Sequence, residues 1–233
     1  MTGRLFGVGV GPGAPDLVTL RAARLIGAAP VIAYPALSGA ESFARSIVAD
    51  LIRPGVEEIE IVVPMTQVRA PAQAAYDAGA ARIAARLEAG LDVVCLCEGD
   101  PFFYGSFMYL FARLSGRFDV EVVPGVTSIA ACAARAGQPL VARNERLTVL
   151  PGPLPEEELS HRIEQAESVA IMKVGRHLPK IRAVIEALGL TDRAVYVERA
   201  SLPDERVSAL ADAPGTAPYF SMILLTKGAD PWL

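Results

Sequence analysis

Asp92-Val93-Val94-Cys95-Leu96-Cys97 breaks off at Glu98-Gly99-Asp100-Pro101. A short apolar run bounded by charge on one side and by Gly and Pro on the other has the length and composition of a strand buried on both faces. Its ending is as informative as its body. Gly-Asp-Pro stops the strand and leaves backbone amides and one carboxylate at its carboxyl edge, where open α/β sheets bind ligands. Asp100 can accept hydrogen bonds there from ribose hydroxyls or a ligand ammonium, and it can equally cap the turn into the next helix.

The same pattern repeats outward in both directions. Strand candidates are Leu5–Val10, Val31–Tyr34, Glu58–Val63, Asp92–Cys97, Val120–Val123, Leu147–Leu150, Val169–Val174, Ala194–Glu198 and Ser221–Thr226. Between them lie helix candidates Leu17–Gly27, Glu41–Leu51, Pro71–Ala89, Gly105–Leu114, Thr127–Ala136, Glu156–Glu167 and Pro179–Leu188. Pro71 and Pro179 sit in first turns, where a helix tolerates proline, and Gly90 and Gly189 follow helix ends as C-cap glycines do. Alternation of this kind predicts largely parallel sheets with helices on their faces. Nine strands are too many for one sheet in 233 residues. The expected architecture is therefore two α/β domains, each a four- to five-stranded sheet with flanking helices. The boundary is expected near Pro124–Gly125, giving domains at 1–124 and 125–233.

Two further strand ends carry glycine loops. The first is Gly7-Val8-Gly9-Val10-Gly11-Pro12-Gly13-Ala14-Pro15. A dinucleotide fingerprint would use Gly9, Gly11 and Ala14. However, Pro12 and Pro15 delay the helix whose N-terminus would hold the pyrophosphate, and Val31–Tyr34 ends in Tyr34-Pro35 without an acidic residue for the ribose. A P-loop lysine is missing too. The loop reads instead as backbone kept bare so that a ligand can come close to a strand end. The other is Val123-Pro124-Gly125-Val126-Thr127-Ser128, where Thr127 or Ser128 can cap a helix while its amides face a carboxylate.

Composition narrows the function classes. Hydrophobic residues make up 52% of the chain, enough for real cores. A net charge of −4 lacks the basic excess of a sequence-independent nucleic-acid binder. No stretch approaches the roughly 18 apolar residues of a membrane span, and Met1–Val10 reads as a first strand rather than a signal peptide. The three cysteines suit a reducing compartment, so a cytoplasmic location is expected. Cys95 and Cys97 alternate in one strand and lack the partners of a metal site, so they read as buried thiols. His161 and His177 lie in polar helical or loop settings and read as surface or structural residues.

Taken together, Gly7–Gly13, Gly99-Asp100-Pro101 with Tyr104, and Pro124-Gly125-Val126-Thr127-Ser128 resemble the tetrapyrrole (corrin/porphyrin) methyltransferase family. Met172-Lys173-Val174, Glu198-Arg199-Ala200 and Leu225-Thr226-Lys227-Gly228 continue the resemblance in the right order along the whole chain. Within the family the chain is most similar to the branch that methylates carbon 20 of precorrin-2. That narrower likeness lies in Tyr34-Pro35, Pro64-Met65-Thr66, Gly137-Gln138-Pro139-Leu140 and the run from Cys97 through Phe102-Phe103-Tyr104-Gly105-Ser106 to Leu110. The resemblance implies a two-domain α/β enzyme, usually a homodimer, that binds S-adenosylmethionine (SAM) between its domains and needs no metal. Carried over position by position, it puts cofactor contacts on Pro12, Gly99, Asp100, Phe103, Thr127, Ser128, Met172 and Ala200, with Leu225, Thr226 and Lys227 lining one side.

Methyl transfer from a sulfonium to an electron-rich carbon needs alignment and exclusion of water more than a protein nucleophile. This accords with a sequence that carries no triad and no metal cluster. A proton must still leave the methylated carbon, and Tyr104, Glu98 or Asp100 can accept it. The small-molecule tetrapyrrole is a polycarboxylate, for which Arg143 and Arg146 are the leading cations, with Arg69 and Lys173 behind them. Arg143 and Arg146 also flank Asn144-Glu145, where a local turn network would use them instead. The competing readings are a non-catalytic nucleotide-binding module, a methylase of a protein or RNA acceptor, and a methylase of another corrin or sirohaem precursor.

Overall fold

The computed structural model describes residues 2–64 and 68–228, so Met65 and Thr66 of the Pro64-Met65-Thr66 match lie outside the described residues. The chain divides into two compact units, Met1–Thr127 and Ser128–Leu233.

The first unit is a five-stranded parallel sheet. Its strands are β1 (Leu5–Gly9), β2 (Val31–Leu37), β3 (Glu57–Val63), β4 (Val93–Cys97) and β5 (Val120–Val123), in the order β3-β2-β4-β1-β5. Helices α1 (Leu20–Ala28), α2 (Phe43–Ile47), α3 (Arg69–Glu88) and α4 (Phe107–Leu114) return the chain between strands, as parallel pairing requires. Every residue of β1 and β4 is buried, because both faces of the sheet are covered. Leu5, Cys95 and Cys97 join the core with α3 and α4, while Phe6, Val8 and Leu96 join the core with α1 and α2.

Among the boundaries that differ from expectation, two have a clear local reason. The helix expected from Leu17 begins at Leu20. Pro15–Leu17 forms a separate 3-10 turn, and Thr19 supplies the N-cap, its hydroxyl accepting from the Ala22 amide at 3.2 Å. Strand β2 runs through Pro35 to Leu37 rather than stopping at Tyr34. Its pairing with β4 ends at Ala33, and only β3 pairs with it further on, so the sheet loses nothing on the β4 side at proline.

In the second unit, α5 (Ser128–Ala136) is followed by β6 (Leu147–Pro151), α6 (Glu156–Gln165), β7 (Ser168–Met172), α7 (Leu178–Ala187), β8 (Ala194–Glu198), β9 (Arg206–Ala209) and β10 (Ser221–Thr226). The sheet order is β6-β7-β10-β8-β9. Helices α6 and α7 pack on one face, with Leu159, Ile163, Ile181 and Ile185 against Ile171, Tyr196, Ile223 and Leu225. Helix α5 packs on the other, with Ile129 and Cys132 against Ala170, Val197, Met222 and Leu224.

Here the expectation of largely parallel sheets is corrected. Only β6 and β7 are parallel; β10 is antiparallel to both β7 and β8, and β8 is antiparallel to β9. The cause is the connection chemistry. After Glu198 no crossover helix follows β8: the chain turns straight back as the edge strand β9, antiparallel to β8, and then passes through the 3-10 turn Leu210–Asp212 to enter as β10 on the other side of β8, in the same direction as β9. Strand β9 was absent from the expected set. Its four residues, Arg206-Val207-Ser208-Ala209, are mostly exposed, and two small alternations are too short to announce a strand.

All three cysteines are free and buried. Burial pushes the Cys95 and Cys97 thiols up and raises Cys132 to about 12. Thiolate, the reactive form, is therefore suppressed in the folded chain. A disulfide reagent such as DTNB, added at about pH 8 to native protein, is expected to find no thiol, and in denaturant to find all three. Prompt reaction of even one in the native state would contradict this packing. Among the described residues no helix is long and apolar enough to cross a membrane.

Candidate active site

The carboxyl ends of β1, β4 and β5 lie side by side, and their loops are stitched together through backbone. Gly11 and Gly99 form an antiparallel bridge, with Gly99 donating to the Gly11 carbonyl at 2.8 Å and Gly11 to the Gly99 carbonyl at 3.3 Å. Gly99 (φ +62°) and Gly11 (φ +80°) both sit in left-handed backbone. A Cβ on Gly9 would lie 2.6 Å from the Gly99 oxygen and the Gly125 nitrogen, and one on Gly125 would lie 2.1 Å from the Gly99 oxygen. The missing side chains at Gly9 and Gly125 thus let three loops pack backbone to backbone. This revises the expectation that the first loop is bare for ligand approach: at Gly9 the space is already filled by chain.

Asp100 joins two of these loops. One carboxylate oxygen accepts from the Phe102 amide at 2.9 Å and the other from the Gly125 amide at 3.1 Å. The first bond is the turn role anticipated for this residue, and the second spans 25 positions of chain. A carboxylate has about four acceptor sites, so room remains for a ligand hydroxyl. Pro12 is half-buried beside this bridge. Glu98, one residue before Gly99, is exposed, while desolvation by surrounding protein raises its carboxyl above the usual Glu range. Phe103 and Tyr104 are both exposed, with rings edge to face at 5.3 Å. Thr127 closes the first unit, and Ser128 opens α5 in the second.

In the second unit, Met172 ends β7, half-buried against the core under α5, and Ala200 lies buried just past β8. Leu225, Thr226 and Lys227 do not join them. Met222 is the residue paired with Met172, whereas Thr226 pairs with Ser168, about 13 Å away along the strand at ~3.3 Å per residue. Leu225 is fully buried on the α6/α7 face. The Thr226 hydroxyl accepts from the Gln138 side chain at 2.8 Å, and the Lys227 ammonium donates to the Ile163 and Glu164 carbonyls near the end of α6. Because β10 is antiparallel, its beginning, Ser221–Met222, lies at the Met172 end of the sheet. The only sequence signal for this was the helix-free connection before it.

A second feature was illegible in the sequence. Four non-glycine residues of left-handed backbone flank the expected contacts. Tyr104 (φ +56°) follows Phe103, Lys173 (φ +57°) follows Met172, and Arg199 (φ +49°) and Ser201 (φ +70°) bracket Ala200. Each such residue costs on the order of 1–3 kcal/mol and persists where its surroundings over-determine it, commonly at ligand sites. Around Ala200 the bracing is visible. The Arg199 amide donates to the Phe220 carbonyl at 2.8 Å, and Glu205 accepts from the Ser201 amide and the Arg135 guanidinium, both at 2.6 Å.

A family model, Tetrapyrrole (Corrin/Porphyrin) Methylases, matches residues 4–212. The chain belongs to that family. This methylase is 45% identical to the precorrin-2 C(20)-methyltransferase of Sinorhizobium sp, over 98% of this chain and 97% of that one. It is 36% identical to the cobalt-precorrin-2 C(20)-methyltransferase of Salmonella typhimurium, over 97% of this chain and 98% of that one. The solved uroporphyrin-III C-methyl transferase from Thermus thermophilus, complexed with S-adenyl homocysteine, matches with a TM-score of 0.70 at 28% identity. That match covers 95% of this chain and 97% of that one.

The cations expected to face a polycarboxylate fare differently in this methylase. Arg146 is exposed but engaged with Glu167, through its amide at 2.7 Å and its guanidinium at 3.3 and 3.4 Å. That pair is solvent-exposed and weak, so Arg146 stands as it was expected, with its guanidinium paired in this structure. Glu145 closes the anticipated turn network, accepting from the Ala142 amide at 2.8 Å. Arg143 is exposed in left-handed backbone (φ +48°). Lys173 is half-buried, and Arg69 is exposed at the start of α3.

Proposed function

We propose that this chain transfers a methyl group from SAM to carbon 20 of precorrin-2, giving precorrin-3A in cobalamin biosynthesis. The observation that carries the reading is the 45% identity to the Sinorhizobium enzyme across 98% of the chain. The S-adenyl homocysteine in the Thermus relative supports SAM as co-substrate. The residues present in the first unit suit such a ligand: backbone amides and the Asp100 carboxylate for its polar groups, and the exposed Phe103 ring as apolar cover for its base. SAM supplies the methyl as a sulfonium. The protein's share is to hold donor and acceptor carbon in line, with reacting atoms about 3–3.5 Å apart, and to keep water out. Arg143 is the cation we favour for a substrate carboxylate. The reading includes a cytoplasmic homodimer that uses no metal.

The test is methyl transfer from radiolabelled SAM to anaerobically prepared precorrin-2, run beside cobalt-precorrin-2, with the product located by mass spectrometry and NMR. One added methyl at carbon 20 of precorrin-2 is the expected result. Faster transfer to the cobalt form would keep the position and change the substrate. Transfer to neither, with SAM bound, would overturn the substrate assignment.

A further inference from the structure

Methylation at carbon 20 leaves one proton to be removed, and the end of β4 offers three groups able to take it: Glu98, Asp100 and Tyr104. The structure separates them. Asp100 holds the Phe102 and Gly125 amides, one on each carboxylate oxygen, and any proton it took would weaken the bridge between the two loops. Tyr104 offers a phenol hydroxyl, a donor before it is an acceptor. Glu98 differs from both. Its carboxylate makes no hydrogen bond or ion pair with any described residue, and its side chain is exposed at the carboxyl edge of the central strand. It is one residue from the Gly99–Gly11 bridge, in the loop that carries the exposed Phe103 and Tyr104 rings.

We propose that Glu98 is the catalytic base of this methylase, an inference that rests on the carbon-20 reading above. The carbon–methyl bond forms as the sulfur–methyl bond breaks, and that bond's electron pair stays on sulfur. The Glu98 carboxylate then takes the carbon-20 proton, and the C–H electron pair returns to the conjugated macrocycle. Sulfonium becomes neutral thioether and carboxylate becomes carboxylic acid, so charge balances. The titratable neighbours are Tyr76 on α3 and Cys97 on β4, and burial pushes the ionisation of both upward, so among the described residues neither neighbour carries a charge that competes for the proton. Desolvation likewise raises the Glu98 carboxyl, which makes it a stronger base than an ordinary glutamate.

The experiment compares wild type with Glu98→Gln and Glu98→Asp on precorrin-2, measuring kcat against pH alongside SAM affinity by calorimetry and thermal unfolding. Wild type should lose rate as pH falls through the Glu98 ionisation, at a pH above the ordinary glutamate range. E98Q should bind SAM unchanged, unfold as wild type does, lose kcat by roughly 100-fold or more, and lose that acidic limb. E98D should recover part of the rate and the limb. An E98Q enzyme that keeps wild-type kcat, or keeps the acidic limb, overturns the assignment while leaving the function intact. Failure of the wild type itself to methylate carbon 20 overturns both.

Discussion

Gly125→Ala is expected to cut kcat/KM by about 100-fold and to lower unfolding free energy by roughly 2–3 kcal/mol. The new Cβ would stand 2.1 Å from the Gly99 carbonyl oxygen and 2.9 Å from the Gly9 backbone. None of these is the end of a flexible side chain, so the loops after β4 and β5 must separate by more than 1 Å before ordinary contact is restored. That movement stretches the Asp100–Gly125 bond and strains the Gly11–Gly99 bridge, the features that set the loops in register. Misplacement of about 1 Å is enough to cost two orders of magnitude in a reaction that depends on alignment. Gly116→Ala is the control, since a Cβ there meets nothing within 4 Å. Urea unfolding and steady-state kinetics of both variants decide the matter. A G125A enzyme as stable and active as G116A would show that the loops can yield without cost.

Removing the carboxylate at Asp100 should have the next largest effect. Asp100→Ala loses two amide-to-carboxylate hydrogen bonds at a half-exposed site. Bonds to a charged group are worth about 1.5–3 kcal/mol when buried, and exposure to water reduces that, so a loss of about 2 kcal/mol in stability is expected for the pair. SAM affinity should fall by about tenfold or more, because the free acceptor sites of the same carboxylate are those offered to the ligand. Asp100→Asn should recover little, since the carboxamide turns an N–H toward one of two N–H donors. Calorimetric titration with SAM separates the two roles. Lost stability with unchanged SAM affinity would leave Asp100 as a loop clamp alone, and no change in either would remove it from the site.

Much of the architecture was written in local pattern. Buried strands such as Val93–Cys97 announce themselves as apolar runs, and Gly90 and Gly189, both in left-handed backbone, mark helix ends. The loops we propose for the ligand stood out for the same reason: Gly, Pro and Asp stop a strand wherever they stand. Strand direction was not legible, because Ser221–Thr226 would look the same running either way; only the chain before it determines the turn. Hence the separation of Leu225, Thr226 and Lys227 from Met172 along the sheet was hidden. The left-handed residues were hidden for a different reason. Tyr104, Lys173, Arg199 and Ser201 are not types that favour that conformation, so tertiary bracing alone reveals them. The double duty of Asp100 was half visible, as a turn, while its bond to Gly125 depends on a loop 25 residues away.

The place of β10 also governs the order in which the molecule can be assembled. The parallel sheet of the first unit is complete once Val123 has been made, so that unit can fold while translation continues. In the second, the middle position belongs to the strand made last, Ser221–Thr226. Until it emerges from the ribosome, β7 and β8 each lack their central neighbour, and their open edges are available to any other strand in reach. The sheet of the second unit thus cannot close until its central strand has been made, and its halves wait unpaired until then.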